Sequence, residues 1–421
     1  MSLLKYNLEN LFSDDVQALV RHESGFDFKE AKSRFESFTQ DASASIYSGY
    51  REDLLKSSDL SELKACAEKL QKLADVLVVC GIGGSSLGAQ SVLSALGKSS
   101  KVLFLDNLDS FHFERSFAQL DLGRTALLII SKSGGTIESM VNAARVMDLY
   151  KTSGIDFKER TVAVTTDGAG SLYSWAQENN LDSFYIPQLV GGRFSLMTPA
   201  GLLPLAFADV NIDYFLAGAR QELNAPEPQL WPLAKRLNEL EVAGMGVLTL
   251  WPYASVLFDW GRWFQQLWGE SLGKRAKNGV GVGSFPAACV GANDQHSLLQ
   301  FLIEGSPRCV SMFVCLKSWE GAEDWMVSLP KSFHSKLGFS QGRKYSEILN
   351  AEAKATQGAL SEVGRPSFEL LVEKLDETNL GALYAHAMDL TVACGALKEI
   401  NPFDQPGVEI GKKILPSVLE S

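Results

Sequence analysis

The sequence predicts an α/β protein built on two doubly wound, mainly parallel sheets, with helical segments at both ends. Three observations predict it. Short apolar runs alternate with stretches of helical period. Two Ser/Gly-rich loops each follow an apolar run and open a helix. A chain of 421 residues is too long for one small core. The expected divisions are a helical N-terminal extension over 1–45, a first α/β domain over 46–188, a second over 189–400, and a C-terminal helical segment over 401–421.

The elements follow in order. Residues 1–75 are helical in period, with polar breaks around Ser24-Gly25 and Ser57-Ser58. Strand-like runs stand near 76–80, 102–105, 126–130, 161–165 and 184–186. A break follows from Pro187 through Gly192. A second strand set is expected near 246–250, 279–283, 309–315 and 367–372. The stretch from Leu380 to Lys413 reads as helix, interrupted around Asn401-Pro402.

The two loops carry the chemistry of the first half. Val76 to Cys80 runs into Gly81-Ile82-Gly83-Gly84-Ser85-Ser86-Leu87-Gly88, and Ala126 to Ile130 runs into Ser131-Lys132-Ser133-Gly134-Gly135-Thr136. A helix N-terminus presents unpaired N–H groups and the positive end of the macrodipole. Glycines let that backbone approach a ligand, and hydroxyls add donors, which together make an anion site. Neither loop has the Lys-Ser/Thr that a P-loop requires. Ser86 stands where the dinucleotide fingerprint needs its third glycine, although Asp106 imitates the ribose-binding acid. The second loop, with its short donors and one cation, suits a phosphate monoester. The plain alternative is that both are ordinary loops.

Composition narrows the partners. Formal charge is −11, which argues against a nucleic-acid backbone. No apolar run reaches bilayer-spanning length, and no basic-then-apolar leader opens the chain, so a cytoplasmic protein is expected. Six cysteines without a Cys-x-x-Cys pair read as reduced core thiols, and five scattered histidines show no metal cluster.

The remaining candidates are single residues. Arg193, in Val190-Gly191-Gly192-Arg193-Phe194-Ser195, is a fixed cation beside glycines, suited to an oxyanion or to a turn. Trp260, Trp263, Phe264, Leu267 and Trp268 share one helical face and read as core. Gln266 and Glu270 lie one turn apart beside that face. A carboxylate there is partly desolvated, as a general base requires, though a surface glutamate at a helix end is the plainer reading. His296 follows Asn293-Asp294-Gln295, either of whose first two residues could cap a helix; a lone histidine there is structural or an acid–base group. Lys412 reads as an exposed lysine paired with Glu409.

Taken together, these segments resemble the phosphoglucose isomerase family, in its compact bacterial form. Two segments match its patterns closely: Val190–Ser195, and Phe403-Asp404-Gln405-Pro406-Gly407-Val408-Glu409-Ile410-Gly411-Lys412. Gly81–Ser85, Ser131–Thr136, Gly269-Glu270-Ser271-Leu272-Gly273-Lys274 and Asp294-Gln295-His296 match in order and character. Leu272 stands where many members carry Asn, and Gly134-Gly135 replaces a bulkier or hydroxylated pair.

The resemblance implies two sugar-isomerase (SIS) domains, no metal and no organic cofactor. It implies interconversion of glucose 6-phosphate and fructose 6-phosphate through a cis-enediol, with Glu270 as base and Arg193 stabilising the enediolate. His296 and Lys412 would open the sugar ring. Gly84, Ser85, Ser131, Lys132, Ser133 and Thr136 would hold the phosphate, and Gln266 and Gln405 the sugar chain. It implies a homodimer with shared active sites, His296 reaching the neighbouring subunit's site. Two other readings stay open: a phosphosugar sensor without catalysis, and an isomerase of another phosphosugar such as mannose 6-phosphate.

Overall fold

The chain opens with a strand, β1 (Leu4–Asn7), not with the helical period expected of its first residues. Leu4 is buried, and β1 pairs antiparallel with a distant strand, Leu4 opposite Val372. Four residues are too few to display a period, and the partner strand supplies what the local pattern lacks. Helices Asp14–Leu19, Phe28–Gln40, Tyr50–Leu55 and Ser61–Leu73 follow. The structure, a computed structural model, describes residues 3–20, 26–55, 59–226 and 228–420. The polar breaks at Ser24-Gly25 and Ser57-Ser58 lie outside the described residues.

The first sheet contains β2 (Val76–Cys80), β3 (Val102–Leu105), β4 (Thr125–Ile130), β5 (Thr161–Thr165) and β6 (Asp182–Tyr185). Its order is β3-β2-β4-β5-β6, and every pairing is parallel. All residues of β4 and β5 are buried, because helices cover both faces of such a sheet. That two-sided burial is why these strands read as unbroken apolar runs.

The second sheet contains β7 (Val247–Pro252), β10 (Phe285–Ala288), β11 (Cys309–Ser318) and β12 (Ser367–Lys374), in the order β1-β12-β11-β7-β10. Only β1 runs antiparallel. The strand expected near 279–283 is not part of it. Gly281–Val282 forms β9, which pairs with β8 (Lys274–Arg275) in a small antiparallel ribbon. The edge position belongs to Phe285–Ala288. Its Pro286 lacks an N–H, which an edge strand tolerates.

Helix Glu377–Leu397 runs through the core, with every side chain from Asn379 to Leu397 buried. It is long and apolar enough to cross a bilayer by composition, contrary to the reading of the bare sequence, but the fold encloses it. The polar groups along its middle are answered. Tyr384 bonds Ser91 at 2.5 Å, His386 bonds Glu222 at 2.7 Å and Tyr6 at 2.5 Å, and Asp389 accepts from Tyr50 at 2.7 Å and from Arg51. Trp260, Trp263, Phe264, Leu267 and Trp268 are buried as expected. Each such side chain contributes roughly 1.5–3 kcal/mol by leaving water. The six cysteines are unpaired and five are buried; burial pushes the Cys66 thiol up to about 11.

Candidate active site

The two Ser/Gly loops leave neighbouring strands at the same sheet edge. β2 and β4 are parallel partners, with Cys80 opposite Ile129, so Gly81 and Ser131 emerge side by side. The first loop makes one turn of 3-10 helix, Gly83–Ser85, before helix Leu87–Ala95. It lies hard against the segment that carries Arg193. A methyl group on Gly84 would sit 2.2 Å from the Gly192 carbonyl, and one on Gly83 would sit 2.8 Å from Gln266 Nε2. Only glycine permits that approach.

The second loop folds on its own hydroxyls. Ser131 Oγ accepts from the Thr136 amide at 3.2 Å and lies 2.9 Å from Thr136 Oγ1. The Ser131 and Lys132 carbonyls are held by the Thr165 and Thr166 hydroxyls, both at 2.8 Å. Lys132 Nζ donates to the Gln188 carbonyl at 2.8 Å, tying this loop to the chain leading to Arg193. Partial burial lowers the pKa of that lysine. Gly134 is at φ +71°, and a methyl there would meet Gly170 at 3.0 Å. Helix Ile137–Thr152 starts immediately after the loop, so its unpaired N–H groups stand at the loop's end.

Arg193 lies in the 3-10 turn Gly192–Met197 with its side chain 1% exposed. All five of its N–H donors are committed. Nε donates to Ser271 Oγ at 2.8 Å. Nη1 donates to Glu270 Oε2 at 3.1 Å and Gln405 Oε1 at 2.9 Å. Nη2 donates to the carbonyls of Pro402 at 2.6 Å and Asp404 at 3.0 Å. Burial lowers the arginine's pKa, opposed by the Glu270 carboxylate. It remains a cation, because its reference value lies so far above neutrality.

Glu270 sits near the end of helix Phe258–Leu272, where Gln266 Nε2 donates to its Oε1 at 3.0 Å. Both carboxylate oxygens are therefore oriented, one by an amide and one by a guanidinium. Gln266 Oε1 is buried and has no hydrogen-bond partner among the described residues, which leaves an acceptor at the site. Lys274, four residues beyond Glu270, donates to the Asp404 carbonyl and to its Oδ1, the latter at 2.8 Å.

Thus Gly84, Arg193, Gln266, Glu270 and Gln405 form one cluster about the Arg193–Glu270 pair, with the Ser131 loop on the adjoining strand. Ser271, Lys274 and Asp404 join them without having been singled out beforehand. Their adjacency to Glu270 and Gln405 in sequence was the available signal. His296 and Lys412 stand apart. His296 is exposed near the start of helix Gln295–Glu304, and no side-chain hydrogen bond of it occurs among the described residues. Asp294 occupies the N-cap position without capping; its carboxylate instead accepts from the Val290 amide and the Ser297 hydroxyl, both at 2.8 Å. Lys412 is exposed on helix Glu409–Leu419 and pairs with Glu409 at 2.6 Å. No group of three His, Cys, Asp or Glu side chains among the described residues is placed to hold a metal ion.

Comparison with known proteins adds an independent line. The family model for phosphoglucose isomerase matches residues 59–421. A protein of Haloarcula marismortui named probable glucose-6-phosphate isomerase is 35% identical, covering 86% of this chain and 81% of that one. A glucose-6-phosphate isomerase of Thermus thermophilus is 34% identical, covering 80% of this chain and 81% of its own. A crystal structure of a hypothetical protein from the same species matches with a TM-score of 0.88 at 30% identity, covering 99% of this chain and 100% of that chain. A crystal structure of a glucose-6-phosphate isomerase from Chlamydia trachomatis shares the fold, with a TM-score of 0.82 at 22% identity over 99% of this chain and 88% of its own.

Proposed function

The chain belongs to the phosphoglucose isomerase family and is accordingly an aldose–ketose isomerase, and we propose that it interconverts glucose 6-phosphate and fructose 6-phosphate through a cis-enediol with Glu270 as the base. The observation that carries this reading is the Glu270 carboxylate held between Arg193 and Gln266.

The steps follow from what each group can do. Ser131, Lys132, Ser133 and Thr136 hold the phosphate, with Gly84 and Ser85 alongside, while Gln266 and Gln405 contact the sugar chain. Glu270 takes the proton from carbon 2 of the open-chain aldose, and negative charge develops on the carbon 1 oxygen. Arg193 stabilises that oxygen. Because its donors are all engaged, the substrate oxygen replaces an acceptor, and the neutral amide of exposed Gln405 is the least costly to displace. The enediolate proton moves from the oxygen on carbon 2 to that on carbon 1. Glu270 then returns its proton to carbon 1, giving the ketose with no net proton change.

Ring opening by His296 and Lys412 belongs to the same proposal, as does a homodimer in which His296 serves the neighbouring site. Two features support the dimer. The His296 side chain is exposed and makes no hydrogen bond among the described residues, on a helix that also exposes Phe301. Helix Glu409–Leu419, with Lys412, exposes Ile410, Ile414, Val418 and Leu419, an apolar face that a second copy would cover. The divisions at 45, 188 and 400, and work in the cytoplasm, are likewise part of this reading.

The test is isomerisation of fructose 6-phosphate in deuterated water, followed by NMR. The expected result is glucose 6-phosphate with deuterium at carbon 2. Glu270→Gln, which keeps shape but removes the base, should lower kcat by about 10²–10⁴-fold. Binding of the substrate without conversion would support the sensor instead. A variant retaining a tenth of the unmodified turnover would remove Glu270 from its role.

A further inference from the structure

Asn401 to Gln405 form a short strap between the buried helix Glu377–Leu397 and the exposed helix Glu409–Leu419. Every residue from Asp404 to Glu420 is exposed, and this strap leads from the core helix into the final one. Two cations grip it. One is Arg193, through the Pro402 and Asp404 carbonyls and the Gln405 side chain. The other is Lys274, through the carbonyl and Oδ1 of Asp404, while Asn401 Nδ2 holds Oδ2 at 3.0 Å. Below, the Phe403 ring packs on Phe194 at 5.3 Å and on Tyr50 at 6.3 Å.

The two cations differ in what a substrate does to them. Arg193 faces Glu270 and must give up an acceptor when a substrate oxygen arrives. Lys274 bonds to no member of the substrate set among the described residues, and its ion pair with Asp404 is left in place. Its side chain is 9% exposed against 54% for Asp404, so the carboxylate comes to a lysine already enclosed by the site. Burying that ammonium is tolerable only with the carboxylate opposite it. Lys274 is also covalently close to the base, four residues after Glu270.

We propose that Lys274 is a positioning residue for the isomerase reaction: its pair with Asp404 fastens the 401–405 strap, and with it Gln405 and the helix of Lys412, to the Glu270 face while Arg193 exchanges partners. The role rests on the isomerase reading above. It requires no contact between Lys274 and substrate.

The test uses Lys274→Met, Asp404→Asn, the double variant and Lys274→Arg in the full chain. Each of the first two should lower kcat/KM for glucose 6-phosphate by about 10- to 100-fold, the scale of an ångström-level misplacement. The double variant should be no worse than the poorer single one, because the ion pair that Asp404→Asn removes is already lost in Lys274→Met. Lys274→Arg should recover most of the loss. Limited proteolysis within 404–420 should quicken by about fivefold or more in Lys274→Met and Asp404→Asn, as an opened local segment does. Additive losses, or unmodified kcat/KM and unmodified cleavage in Asp404→Asn, overturn the proposal even if Lys274→Met folds poorly. An unmodified chain without turnover would sink the isomerase reading instead, and the cleavage rates would still decide whether the strap is fastened by this pair.

Discussion

Arg193 Nη1 lies 3.1 Å from Glu270 Oε2, joining a guanidinium that is 1% exposed to a carboxylate that is 33% exposed. The inequality matters. The cation is fixed in the interior by four further bonds, while the carboxylate keeps one side open to an incoming molecule. In the proposed reaction, a base so placed would be oriented before substrate arrives, with the charge that would stabilise the developing oxyanion already beside it.

Arg193→Lys keeps the charge and loses the fork. A lysine has three donors on a flexible stem and cannot serve Ser271, Glu270, Gln405 and two carbonyls together. We expect kcat/KM to fall by about 10²–10³-fold, as when a preorganised donor to an oxyanion is lost. Steady-state kinetics within threefold of the unmodified chain would show that charge alone suffices.

Ser131→Ala with Thr136→Val removes two donors and no charge. The pair sits 2.9 Å apart in the second loop, and hydrogen bonds to a charged group contribute roughly 1.5–3 kcal/mol each. The Michaelis constant for glucose 6-phosphate should rise at least tenfold, about 1.4 kcal/mol or more. Calorimetric binding of a non-phosphorylated polyol should barely change. Equal losses for both ligands would make the loop a support for the fold.

Gly84→Ala tests the close approach of the first loop to Arg193. The added methyl would fall 2.2 Å from the Gly192 carbonyl and 2.5 Å from the Arg193 amide. The expected cost in urea unfolding is about 1–3 kcal/mol, the usual penalty for overpacking, with a fall in kcat/KM as the turn is pushed away. Gly246→Ala, whose methyl meets nothing within 4 Å, is the matched control. Equal behaviour of the two would show that the loop moves freely.

Mixing chains that carry Glu270→Gln with chains that carry His296→Ala tests the shared site. In a two-fold dimer that exchanges at random, about half the dimers are mixed, and each mixed dimer holds one intact site. Activity on cyclic substrate should recover to about a quarter of the unmodified level by the same closed pairing. Native mass spectrometry verifies the exchange. Mixed dimers no more active than either parent would return His296 to its own chain.

The parallel core was legible because of how it is buried. β2, β3 and β5 occupy the residues expected of them, and β4 begins one residue earlier, at Thr125. Strands covered on both faces are written as continuous apolar runs. The edges of the second sheet were not legible. β1 is four residues long, and β10 is Phe-Pro-Ala-Ala, so neither carries a pattern of its own; each is a strand because β12 or β7 offers it hydrogen bonds.

The site divides in the same way. Sequence alone singled out the candidate donors, the cation and the carboxylate, and it put Gln266 beside Glu270, since four residues on a helix make neighbours. Only the tertiary structure decided that Arg193 reaches Glu270 and that the Pro402 and Asp404 carbonyls close around its other end. It also decided that Gly84 lies against Gly192, and that Lys274 rather than Lys412 meets this cluster within the chain. Local periodicity specifies which face of an element is buried. Which distant group a buried charge finds depends on how elements far apart in sequence pack into the shared core, where desolvation makes an unanswered cation too costly to keep.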